Sequence, residues 1–144
     1  MDKLLYTLIR RYKTTDPFII AKKLGIHIRY ADLGPHTRGI YYSKLRRRFI
    51  VINSRLSIRW QRFICAHELA HDQLHRGLNR FFLDEYSFSN ANKYERQANQ
   101  FAVQLLLSET EIRLGETVEQ LFLRNGVPIE MISYFKGGQI NGFY

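Results

Sequence analysis

From Ser57 onward the chain repeats in steps of three and four through Trp60, Phe63, Ile64, Leu74 and Leu78, and His67 and His71 fall on the same stripe. The spacing predicts one helix over 57–76 with both imidazoles on its buried face. Side chains four residues apart stack on one face of a helix. The segment His67-Glu68-Leu69-Ala70-His71 is therefore an HExxH motif whose two imidazoles can bind one zinc ion. Glu68, beside the first histidine, then reaches the attacking water. A five-residue match of this kind arises by chance roughly once in 40,000 positions, so a third ligand has to support it.

A second stripe supplies one. A helix predicted over 91–107 carries Glu95, Ala98, Asn99, Ala102 and Leu106 on one face. Small Ala98 and Ala102 let another helix approach closely, and a carboxylate buried there without a partner would be costly. A metal removes that cost. The other reading of Glu95 is a surface carboxylate paired with Lys93 or Arg96. Asn99, one turn on, is placed to hold a ligand histidine from behind.

Ahead of these helices the pattern changes period. Leu4, Leu5, Leu8, Ile9 and Tyr12 recur at helical spacing, and Pro17 suits a first helical position, which predicts helices over 3–13 and 16–24. Ile26, Ile28 and Tyr30 alternate with His27 and Arg29 as a half-buried strand does. Strands near 39–43 and 48–53 form a hairpin through the turn 44–47, a basic tip that is either solvated or in contact with nucleic acid. Residues 80–90 are expected to be a loop pinned over the core by Phe81, Phe82, Tyr86 and Phe88. Shorter helices are expected near 108–114, 116–124 and 128–136.

Length and composition set the outer bounds. The 144 residues suit a single domain over 1–136 with a flexible tail, 137–144. No apolar run approaches the roughly 20 residues of a membrane span, and the first residues do not read as a signal peptide. A cytoplasmic protein is expected. One cysteine, Cys65, excludes disulfide staples and multi-cysteine zinc fingers. It falls about 200° round the helix from His67 and reads as a small buried residue. His75 lacks the spacing of a metzincin third histidine and reads as a packing or hydrogen-bonding residue, with contact to the reacting groups the lesser option. His27 and His36 read as ordinary side chains.

HELAH followed by Tyr94-Glu95-Arg96-Gln97-Ala98-Asn99-Gln100-Phe101-Ala102 and Leu105-Leu106 resembles the ImmA/IrrE metallopeptidases, in particular the ImmA-type anti-repressors of phages and conjugative elements. The likeness covers about 18–107. The family often ends its second motif in Met-Pro, where this chain has Leu107-Ser108. The resemblance implies that His67, His71 and Glu95 bind one Zn2+ and that Glu68 is the catalytic base. It implies a zinc endopeptidase whose protein substrate is a helix-turn-helix repressor of a mobile element. The expected fold is α+β and zincin-like, a small three-stranded sheet from 26–53 packed on the HExxH helix, mostly helical elsewhere. In such folds the strand before the active-site helix is a sheet edge for extended substrate. Here that is 48–53, where Arg46, Arg47, Arg48 and Arg55 would favour an acidic flank. Those arginines would equally serve to solubilise an exposed edge.

Charge supports a competing reading. Residues 1–62 hold 15 Lys/Arg against 3 Asp/Glu, a net +12, while the remainder is −3. A non-proteolytic regulator with a structural zinc site could use that half to bind DNA or an acidic protein, although no recognition helix stands out.

Overall fold

The computed structural model describes residues 2–77, 81–85 and 92–136. The expected tail, 137–144, and the rings of Tyr86 and Phe88 lie outside them. Helix α1 (Asp2–Tyr12) buries Leu5 and Leu8. Helix α2 (Pro17–Lys23) starts where Asp16 accepts from the Phe18 N–H at 2.9 Å, with Pro17 at the first position that needs no donor. It stops at Gly25, whose φ of 79° costs a glycine little, and Ile26 N–H closes back on Ala21 O.

Three predicted strands form: β1 (His27–Ala31), β2 (Thr37–Lys44) and β3 (Arg47–Asn53). A fourth, β4 (Phe81–Glu85), joins them where a loop was expected. The sheet is mixed, in the order β1-β3-β2-β4, with β1 parallel to β3 and the other pairs antiparallel. Phe82 explains the extra strand: it is buried between exposed Phe81 and Leu83, the two-residue period of an edge strand with one wet face. The order also corrects the expected substrate edge. Strand β3 is interior, because β1 pairs along its free side, Ile28 opposite Ile50 and Tyr30 opposite Ile52.

Helix α3 (Ile58–Ala70) begins at Ser57, whose hydroxyl accepts from the Trp60 N–H. All eight residues from Phe63 to Ala70 are buried. It is the central helix, with the sheet on one side and α4 (Lys93–Leu107) on the other. Tyr41, Ile50 and Ile52 from the sheet, Phe63, Ile64 and Leu69 from α3, and Phe101, Ala102 and Leu105 from α4 make the core. Beyond Ala70 the helical path continues, but His71–His75 form a wider π-helical turn instead of the plain α-helix expected to 76.

The C-terminal part departs most from expectation. No helix forms at 108–114; Ile112 and Leu114 are exposed, so that stretch has no apolar face to bury. Helix α5 (Val118–Arg124) is closed by a capping box of Thr117 and Gln120, and a 3-10 helix spans Ile129–Tyr134. The architecture is α+β with helices on the sheet, as expected apart from the fourth strand. Among the described residues no helix is long and apolar enough to cross a membrane.

Candidate metal centre

Helices α3 and α4 bring three donors together. Asn92 caps α4 by accepting from the Glu95 N–H at 2.9 Å, which holds Glu95 in the first turn, facing α3. Its carboxylate spans the two imidazoles, 3.0 Å from His67 Nε2 and 2.9 Å from His71 Nε2. The three ligand atoms lie within 4.8 Å of one another. The histidines are buried and Glu95 half-buried. Of the two readings of Glu95, the inward one matches the geometry.

The donor set fits a divalent cation. His67 Nδ1 is 2.7 Å from Asn99 Oδ1, an acceptor, so the ring proton sits on Nδ1 and is donated there. In the neutral ring that a metal requires, Nε2 then turns a lone pair toward the carboxylate. Two acceptors facing each other at 3.0 Å repel, and a cation between them reverses the sign. Zinc bonds of about 2.0–2.1 Å would put ligand atoms about 3.3 Å apart, close to the two histidine–carboxylate distances. Burial pushes His71 down to about 4, which leaves its imidazole neutral near pH 7, the form a metal requires.

Glu68 is fully buried on the face of α3 that meets β2. Gly39 makes that approach possible: a Cβ there would lie 2.5 Å from Ile64 Cγ2 and 3.3 Å from Glu68 Oε1. Sequence reasoning did not single out Gly39; a glycine inside a strand pattern was the available signal. Phe82 was also missed as part of the site, although it stacks on His71 with ring centroids 4.0 Å apart and planes at 7°.

One turn further, Asp72 is buried and accepts from Tyr41 Oη at 2.6 Å, Arg48 Nη1 at 2.8 Å and Gln73 Nε2 at 2.8 Å. Burial, then the bond to Asp72, pushes the Tyr41 hydroxyl well above its ordinary value. This network ties the π-helical turn to β2 and β3. It also corrects the expected role of Arg48, which pairs with Asp72 and donates to Leu24 O rather than facing a substrate. Cys65 is buried, and burial pushes its thiol well up. His27 and His36 are exposed and away from the cluster.

A mixed sheet lying on an HExxH helix, with a carboxylate arriving from the next long helix, is the layout of a zincin-like metallopeptidase. The family model described as the IrrE N-terminal-like domain, of the M78 peptidases, matches residues 21–134, and the chain belongs to that family. It is 37% identical over 128 residues to a protein of Bacillus phage phi105 named uncharacterized immunity region protein 2, covering 86% of this chain and 81% of that one. It is 29% identical over 144 residues to the metallopeptidase ImmA of Bacillus subtilis strain 168, covering 95% and 83%. The chain is thus a metallopeptidase of the M78 type.

Proposed function

We propose that the chain, as a single catalytic domain over 1–136 working in the cytoplasm, is a zinc endopeptidase of the HExxH-plus-Glu kind that cuts a helix-turn-helix repressor of a phage or mobile element. The observation that carries the zinc assignment is the carboxylate of Glu95 spanning Nε2 of His67 and Nε2 of His71, at 3.0 and 2.9 Å. Bound by those three residues, zinc would supply Lewis acidity, polarising the scissile carbonyl and acidifying water. Glu68 takes the proton from the attacking water and passes it to the departing amine. Low-dielectric surroundings strengthen that exchange, since Glu68 lies under β2 out of bulk solvent.

The substrate segment lies extended along β4, which ends the sheet next to the site and carries Phe82 onto His71. Backbone pairing there demands little of the substrate's sequence. Support for a repressor as substrate comes from the likeness to ImmA-type proteins and from the immunity-region name of the phage relative.

The test is incubation of the purified chain with the repressor encoded beside it. Cleavage that stops with a chelator, and falls about 10²–10⁴-fold in Glu68→Gln with zinc retained, is expected. Equal cleavage by Glu68→Gln would overturn the role of Glu68. An intact repressor together with steeply salt-dependent DNA binding by the chain would favour the non-proteolytic regulator instead.

A further inference from the structure

The two histidines of the motif are held from behind in different ways, and the difference assigns a role to His75. His67 leans on Asn99, a residue of the other helix. His71 leans on its own helical path: its Nδ1 is 3.0 Å from the Nδ1 of His75, whose Nε2 is 2.7 Å from Gln97 Oε1. The amide oxygen of Gln97 can only accept, so the His75 proton resides on Nε2 and is donated there. Nδ1 of the same neutral ring is then a lone pair. The hydrogen between the two Nδ1 atoms must therefore come from His71, which leaves His71 Nε2 bare and directed at Glu95 Oε1, 2.9 Å away.

His75 is buried, so bulk water does not compete for its hydrogen bond to His71. Its ring is pinned as well, edge-on to Tyr94 at 4.9 Å, while Phe82 stacks on His71. Both nitrogens of His75 are engaged, and it stands outside the three-residue donor cluster found among the described residues. It has no nitrogen left for a metal or a substrate.

We propose that His75, oriented by Gln97, is a positioning residue that fixes the tautomer and direction of His71 and thereby raises the affinity of the site for a divalent cation. This rests on the reading of His71 as a metal ligand. The wider turn at His71–His75 fits the role: it keeps the two rings in contact while Asp72 remains tied to the sheet.

The experiment measures zinc affinity of the full chain by competition with a chromophoric chelator, in the wild type and in His71→Ala, His75→Phe, His75→Asn and Gln97→Met. His75→Phe keeps ring volume but removes the acceptor, and should bind zinc about 10–100-fold more weakly. His75→Asn places an amide oxygen near the lost Nδ1 and should recover most of that loss. Gln97→Met, on a half-buried position of α4, should weaken binding in the same direction and serves if His75→Phe does not fold. Long-range proton–nitrogen NMR of the metal-free chain should show His71 protonated at Nδ1 in the wild type and shifted toward Nε2 in His75→Phe. Wild-type zinc affinity and an unchanged His71 tautomer in His75→Phe, or in Gln97→Met if that variant carries the test, would overturn the inference. Wild-type affinity in His71→Ala would instead overturn the ligand assignment beneath it.

Discussion

Around His67 and His71, buried side chains from α3, α4 and the π-helical turn hold one another at 2.7–3.0 Å, whereas at the β2–β3 hairpin tip Lys44, Leu45, Arg46 and Arg47 stand in solvent. The tip adopts positive φ at Leu45 and Arg46, 52° and 67°, without the Asn-Gly such a turn favours. Beside it, Ser43, Lys44, Leu45, Arg46, Arg48 and Arg76 line a shallow cavity of about 540 Å³. Both regions are rich in polar groups, yet they respond differently to change. In the buried region each group is a partner that another cannot replace, and a deletion leaves a desolvated donor or acceptor behind. At the tip, water and salt take over whatever a substitution removes.

The comparison can be broken most sharply at the metal donors. Elemental analysis of His67→Ala or Glu95→Ala should show the metal lost and, with it, peptidase activity; full metal content in both would dissolve the assignment of the donors. Next in size is Asn99→Leu, which keeps volume and removes the acceptor behind His67. Zinc competition should report a loss of about 10–100-fold. An unchanged affinity would mean that the helix alone orients that ring.

Gly39→Ala examines the packing under Glu68 rather than the donors. The added Cβ meets Ile64 at 2.5 Å, so thermal or denaturant unfolding should show about 1–3 kcal/mol of destabilisation. A neutral result would show that β2 can lift away from α3. The smallest effect belongs to the tip: Arg46→Ser with Arg47→Ser should alter stability by no more than about 0.5 kcal/mol. If those arginines meet an acidic substrate flank, the same variant should slow cleavage at low salt and lose its salt sensitivity. A large stability change would show that the tip is not the solvated region it resembles.

Helical and strand periods made much of the molecule legible before any coordinates. The Asp16-Pro17 start of α2, the β2–β3 hairpin and the stripe of α4 followed from local rules. Glu95 and Asn99 were legible because a polar pair on an apolar face needs a reason to be there. By contrast, Phe81-Phe82-Leu83 read as a loop, since its single buried ring has no periodicity until β2 is beside it. The stretch 108–114 read as a helix, but its apolar residues have nothing to pack on, and propensity without a buried face does not hold a short helix.

The sequence by itself determined that His67 and His71 share a helix face, because a spacing of four is a property of the covalent chain once it coils. It also placed Glu95 and Asn99 one turn apart on a second face. Only the tertiary structure decided that β1 closes the side of β3 and leaves β4 at the edge, and that Arg48 serves Asp72 instead of a substrate. Gln97 behind His75 and Gly39 over Glu68 belong to the same group. The side-chain meetings join residues 22 to 29 positions apart, and the β2–β4 pairs are further apart still. No local period encodes them, since they depend on which faces are left to bury once the helices and strands have formed.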